Sequence, residues 1–308
     1  MNYRSLQAPT SVVMVRPHRF GVNPETGADN AFQAQVAEHE ESLAASALAE
    51  FDAAVATLTA AGVKVHVFED FGEFDTPDSV FPNNWFSTHQ GGRVAIYPMF
   101  AVNRRRERRA DVIELLKAQY RVQEVIDYSG LEYDNLFLEG TGAMVFDHAE
   151  RVAYVAASHR ADPVILERFC TAFGYEPMVF PTADASGRPI YHTNVLMSIA
   201  TDYALICTDA IADARRRDEV AERLADSGRA MLQISFDQVN QFVGNAIELT
   251  GSQGRLLVLS SRAEAALTPQ QREVISASSQ LLPLSIPTIE LAGGSARCMI
   301  AGVHLSPR

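Results

Sequence analysis

The chain has 308 residues, 47% hydrophobic and 21% charged, an ordinary globular composition long enough to bury a large core without disulfides or metal. Its net charge of −12 excludes sequence-independent nucleic-acid binding, which needs Lys and Arg in excess. Three cysteines, Cys170, Cys207 and Cys298, with no CxxC, CxxH or HExxH, exclude a zinc framework and fit a reducing, cytoplasmic compartment.

In chain order, the N-terminal MNYRSLQAPT lacks an apolar signal core, and no run of about 18 apolar residues follows, so a soluble chain without a membrane partner is expected. A strand is predicted at 11–15 (SVVMV). The polar stretch Phe20–Gln33 (FGVNPETGADNAFQ) reads either as a flap over a binding site or as a connecting loop. An Ala-rich 3–4 periodicity predicts a helix over 31–61, and VKVHVF (63–68) a strand. Next comes DSVFPNNWF (Asp78–Phe86), where Pro–Asn–Asn marks a turn with more aromatic residues than a turn needs. A strand at 93–98 precedes the basic NRRRERR, read as the solvated start of a helix over 104–119.

Further strands are predicted at 142–146, 151–156, 195–200, 203–207, 230–236 and 255–260. Helices are predicted at 161–173, 209–227 and 268–278, the last opened by Thr268 as cap and Pro269 in the first turn. Two strand couples, 142–146 with 151–156 and 195–200 with 203–207, read as hairpins. The alternation recurs about five times without a low-complexity linker, which predicts repeated α/β units around one core, a single domain over 1–308. No GxGxxG or GxxxxGK[ST] occurs, so dinucleotide and P-loop folds have no support.

Three segments carry chemistry. FLEGTGAMVF sets Glu139 before two glycines, YHTNVLMSIA sets His192 before an apolar strand, and LAGGSARCMIAGV sets Cys298 after a Gly-Gly loop, at the start of a last apolar strand. Each alone is most simply a loop or core residue. Together they supply a nucleophile, a base and a carboxylate that fixes the base's tautomer. The thiolate is the attacking form, and an ordinary thiol titrates at about 8.5, so a partner that takes its proton is needed. Cys170 and Cys207 sit in helical and strand patterns and read as core. His66, His148 and His159 read as structural or surface residues.

At these residues the sequence resembles the guanidino-group-modifying enzymes of the pentein fold. These include arginine deiminases, dimethylarginine dimethylaminohydrolases, dihydrolases, amidinotransferases and bacterial citrulline-utilisation hydrolases. The resemblance runs through most of the chain as acidic loop, Glu-Gly, His-x-polar and Gly-Gly…Cys. It implies a five-bladed α/β propeller with the site in a central channel. It further implies Cys298 as nucleophile, His192 as general acid/base and Glu139 as its partner. By the same resemblance Arg105 or Arg104, and Arg160, hold the substrate carboxylate, a task suited to the planar guanidinium fork. No metal or cofactor is implied, the partner is a small amino-acid substrate, and a homodimer is left open.

The sequence departs from the guanidinium-binding members. Asn83 and Asn84 stand where two acids are expected, Asn194 follows His192 in place of Asp, and Glu139-Gly140-Thr141-Gly142 drops another carboxylate. Asp78 remains acidic. A guanidinium offers donors and positive charge, so loss of carboxylates disfavours it, whereas asparagine complements a neutral ureido group. The expectation is therefore citrulline hydrolysis to ornithine, carbon dioxide and ammonia through an S-carbamoyl intermediate. An arginine dihydrolase, deiminase or dimethylaminohydrolase is the alternative, an amidinotransferase a more distant one, and a non-catalytic pentein binding protein the non-enzyme rival.

Overall fold

The computed structural model describes residues 6–27, 30, 32–34 and 40–308. Among these, five three-stranded sheets carry the chain, and all five share one internal order. Strand Phe86–His89 turns back antiparallel on Arg93–Ile96, whose other edge takes Glu124–Asp127 in parallel. Met144–Asp147, Val152–Ala156 and Glu176–Phe180 repeat the pattern. So do Met197–Ile199, Tyr203–Ile206 and Ala230–Gln233, and Ile247–Gly251, Gly254–Ser260 and Gln280–Leu284. The fifth sheet joins the chain's two ends. Ala301–Gly302 pairs antiparallel with Ser11–Pro17, which pairs in parallel with Lys64–Asp70.

A hairpin suffices for an antiparallel link, but a parallel neighbour needs a crossover. Helices Glu40–Ala60, Ala110–Gln119, Pro163–Phe173, Ala214–Ala225 and Pro269–Ser276 supply the five crossovers. Each buries one stripe. In the first, Leu43, Ala47, Phe51, Ala54 and Leu58 recur at helical spacing and are buried. That helix is long and apolar enough to cross a membrane by length and composition, yet this stripe packs into the core beside Val12 and Leu249. Local chemistry sets the ends. Asp162 accepts from the Val164 and Ile165 amides, and Gly174 closes the same helix in the left-handed region. Thr268 and Gln271 form a capping box with Pro269 in the first turn, as the sequence predicts.

Both expected hairpins form. The expected helix over 104–119 is broken instead into Val102–Arg105 and Ala110–Gln119. Arg108 leaves the helical path to pair with Glu132, and Arg109 reaches the Glu69 carbonyl, so 106–109 serve tertiary contacts rather than a turn of helix. Nor is NRRRERR a solvated face, since Asn103, Arg104 and Glu107 are buried. Of the expected helix at 31–61, Glu40–Ala60 is helical and 32–34 are not, while 31 and 35–39 lie outside the described residues.

The inner strand of each sheet is preceded by a tight turn. Four are short helices: Pro82–Asn84, Gly140–Ala143, Thr193–Val195 and Ala296–Met299. The fifth is the turn at 242–245, closed by the Asn245 amide on the Phe242 carbonyl. The turns touch in succession. Thr141 donates to the Asn83 carbonyl, Thr193 to the Ala143 carbonyl and Asn245 to the Asn194 carbonyl. Asn245 in turn accepts from the Arg297 amide, and Gly294 lies against the Phe81 ring, where a Cβ would sit 2.7 Å from it.

Candidate active site

The contiguous turns surround one end of a cavity of about 210 Å³, whose wall includes Asp78, Asn84, Arg104, Arg160, His192 and Cys298. Cys298 stands on the turn Ala296–Met299, not at the start of the last strand, which begins only at Ala301. Its Sγ accepts from Asn194 Nδ2 at 3.3 Å and from Asn245 Nδ2 at 3.2 Å. Two amide donors thus converge on the sulfur and fix its position on the turn. Asn245 is itself locked, accepting from the Arg297 and Cys298 amides at 3.0 and 3.4 Å through Oδ1.

The base is set from the opposite side. His192 is bonded through Nε2 to Glu139 Oε2 at 2.7 Å, which leaves Nδ1 for proton transfer. Glu139 is fully buried and also receives Arg160 Nη1 at 3.2 and 3.3 Å. Arg160 lies between the Phe100 and Tyr191 rings, 4.9 and 4.3 Å from their centroids. Burial pushes the Glu139 carboxyl up, but Arg160, His192 and Arg104 together hold it well below the usual range. Burial lowers His192, more than Glu139 raises it, so the imidazole is neutral and ready to accept a proton near pH 7.

Beside Asp184, Asp78 supplies the second acid of the cavity wall. Its Oδ2 accepts from Asn23 Nδ2 at 2.7 Å and lies 3.7 Å from Arg104 Nε, while Oδ1 has no partner. Burial raises its carboxyl against the pull of Arg104. Asn84 presents an unpartnered Oδ1 beside Gly142, and Asn194 Oδ1 is unpartnered too. Asn83 is buried behind the wall, held by its carbonyl, with neither side-chain atom bonded. Buried polar atoms are rarely left without partners. The unpartnered Asp78 Oδ1 and Asn84 Oδ1 are buried acceptors of two residues that line the cavity, which suits a neighbour rich in N–H donors.

The arginine expectations divide. Arg105 lies outside the cavity, its guanidinium bonded to the Met99 and Phe100 carbonyls at 3.0 and 3.2 Å and 3.8 Å from Glu132. The helix Val102–Arg105 turns its neighbour inward instead. Arg104 lines the cavity, with Nε and Nη2 on Glu107 at 2.9 and 3.0 Å. Arg160 also lines it, committed to Glu139 as well. Of the polar segment Phe20–Gln33, Thr26, Asn30 and Phe32 face the cavity and Asn23 braces Asp78, while Ala28, Asp29 and Ala31 lie outside the described residues. Phe81 lines the cavity; Trp85 does not and packs on Phe86 at 4.4 Å. Cys170 is buried away from the site, its thiol pushed up to about 12 by burial.

Sequence reasoning missed Asn245, Asn23 and Glu107. Asn23 lay within the polar stretch Phe20–Gln33 without being singled out, and Asn245 had a signal of its own: it occupies, in the fourth sheet, the turn position that carries a site residue in the other units.

A family model described as N,N dimethylarginine dimethylhydrolase, eukaryotic, matches residues 16–305. No curated protein matches in sequence. Among solved structures, the chain is similar to the N-terminal domain of ArgZ bound to product, an arginine dihydrolase from cyanobacteria. The two are 16% identical over 94% of this chain and 96% of that one, with a TM-score of 0.73. AgrE in complex with L-arginine is 16% identical over 94% of this chain but 39% of its own, with a TM-score of 0.72. A dimethylarginine dimethylaminohydrolase variant carrying an S-methyl-L-thiocitrulline adduct is 13% identical over 95% and 99%, with a TM-score of 0.62. At these identities the solved structures establish a shared fold.

Proposed function

Because the chain belongs to the N,N-dimethylarginine dimethylhydrolase family, hydrolases of C–N bonds with a catalytic cysteine, we propose that it hydrolyses the guanidino group of an arginine-type amino acid. The finer reading is an arginine dihydrolase that releases ornithine. The observation that carries it is the pair of buried, unsatisfied acceptors beside the cavity that holds Cys298, one oxygen on the Asp78 carboxyl and one on the Asn84 amide. Asp78 suits a cation, and the asparagine suits the neutral ureido group left after the first hydrolysis, so both successive substrates are accommodated. The five like sheets support a pentein-type α/β propeller formed by the whole chain.

In this reading neutral His192 takes the proton of the Cys298 thiol as the sulfur attacks the guanidinium carbon. One C–N bond breaks, and ammonia departs with a proton from His192. The same imidazole then takes a proton from water, which attacks the thiouronium carbon and frees the sulfur, leaving citrulline. A second round at the ureido carbon consumes another water and yields ornithine, carbon dioxide and ammonia. Arg160 and Glu139 fix the imidazole, and Asn194 and Asn245 hold the sulfur through their amide donors.

Asn84 and Asn194, in place of carboxylates, favour a second reading in which only citrulline is hydrolysed. Purified protein incubated separately with arginine and citrulline, with ornithine, citrulline and ammonia quantified against a Cys298→Ser control, separates the two. Ornithine with two ammonia per arginine is expected. Ornithine from citrulline with arginine untouched selects the second reading, and no product above the control from either substrate removes both.

A further inference from the structure

The charges around the large cavity do not cancel. Its wall carries Asp78, Asp184, Arg104, Arg160 and Arg188. Two more acids engage these arginines. Glu139 accepts from Arg160 Nη1, and Glu107 holds Arg104 in a two-point fork, Nε on Oε1 at 2.9 Å and Nη2 on Oε2 at 3.0 Å. At the rim Asp184 accepts from Arg188 Nε at 2.9 Å. Asp78 is then left over. Its Oδ2 lies 3.7 Å from Arg104 Nε, whose hydrogen already goes to Glu107. Among the described residues four carboxyl groups thus meet three guanidiniums, and the surplus lies in the buried trio Asp78, Arg104 and Glu107.

Surplus negative charge in a buried cluster is costly and is relieved by a cation or a proton. Burial pushes the Glu107 carboxyl up to about 7; Arg104 opposes this, and Asp78 and Glu139 add to it. Burial raises Asp78 as well. The net charge of the ligand therefore counts. An arginine-type amino acid carries one net positive charge, because its guanidinium adds to a balanced ammonium and carboxylate, whereas its ureido counterpart is neutral overall. With Glu107 ionised the cavity matches the first, and without that charge it matches the second. Where Asn84 and Asn194 drop carboxylates, Glu107 supplies one from behind Arg104.

We propose that Glu107 determines specificity from behind the cavity wall: by engaging Arg104 it leaves the Asp78 charge uncancelled, so that the site prefers a cationic guanidino head group to a neutral ureido one. Glu107 acts through Arg104 and Asp78, not on the reacting atoms. The inference rests on the proposed arginine-type substrate and names the residue that selects its charge. Because a proton on the trio removes the surplus as a cation does, the two compete, and by linkage a bound cation expels the proton.

The test is calorimetric binding of arginine and of citrulline at pH 8 to the Cys298→Ser protein, with and without Glu107→Gln. The substitution is expected to raise the arginine Kd relative to the citrulline Kd by about tenfold, the order expected of one buried unit charge. Both ligands share the same ammonium and carboxylate, so a mere change in how Arg104 is braced moves both Kd values together and leaves their ratio. An unchanged ratio therefore overturns the proposal, as does failure of both ligands to bind. Should Glu107→Gln not fold, binding to Cys298→Ser at pH 6.5 in buffers of different ionisation enthalpy decides. Net proton release with arginine and not with citrulline supports the proposal, and equal release overturns it. A shifted ratio in a protein whose wild type yields no product from either amino acid upholds the charge preference and removes the proposed hydrolysis.

Discussion

In the proposed reaction, Asp78 is the residue that meets the substrate's charge. A guanidinium that meets the unpartnered Oδ1 gains a charge-assisted hydrogen bond, about 1.5–3 kcal/mol against about 0.5–1.5 for a neutral one. Asp78→Asn keeps shape and buried volume and removes that difference. KM for arginine is therefore expected to rise roughly 5- to 30-fold, with KM for citrulline changed much less. Steady-state kinetics on both substrates measure it, and an equal rise on both means that Asp78 does not read charge. The residue types here were visible in the sequence. Cys298, His192, Glu139, Asp78 and Asn84 all reach the cavity or stand directly behind its wall. Which arginine faces inward was not visible, because Arg104 and Arg105 differ only in helical phase and the helix that sets the phase ends at Arg105.

The elements that position these side chains are the five turns, each placed one step ahead of an inner strand. Their close contact depends on glycine. A Cβ on Gly142 would collide with Asn84 Oδ1 and lie 3.1 Å from His192 Cε1. Gly142→Ala is accordingly expected to move the imidazole from its line between Glu139 and the substrate while leaving the surrounding sheet in place. Displacements of about 1 Å at a reacting centre cost on the order of 100-fold, so kcat is expected to fall at least about tenfold with far-ultraviolet dichroism unchanged. A wild-type kcat in this variant means that the turns do not set the geometry. The turns were also where sequence reading was weakest. The two predicted hairpins formed, but 142–143 and 195 joined short helices rather than strands, because a run of apolar residues has no period long enough to separate the two. Asn245 escaped for a related reason. In FVGNAIELT the one titratable residue, Glu248, lies on the strand and not in the turn, and only the repeat of a turn before each inner strand singles Asn245 out.

At the scale of the molecule, burial of three imidazoles sets how stability follows pH. His89 and His148 are held well below the ordinary range, and His304 falls to about 4, all mainly by burial. His89 is satisfied while neutral by Ser87 at 2.6 Å and Tyr175 at 3.0 Å, and Phe146, Phe169 and Phe173 surround it. In the sequence such histidines read as structural, which this aromatic core explains, but nothing there showed that three of them share it. The unfolded chain binds a proton on each below about pH 6.5, whereas the folded chain refuses it until much lower pH. Stability is therefore complete above about 6.5 and is lost as pH falls toward 4, since the unfolded state gains the protons. Glu107, pushed up to about 7 by burial, binds its proton in the folded state and offsets one imidazole in part of this window. Each proton left uncompensated adds about 1.4 kcal/mol per pH unit to the slope. Urea unfolding followed from pH 7.5 to 5 is expected to show the midpoint falling steadily with pH. A midpoint flat across that range requires that these imidazoles already carry protons in the folded chain, which the packing of His89 among Phe146, Phe169 and Phe173 does not allow.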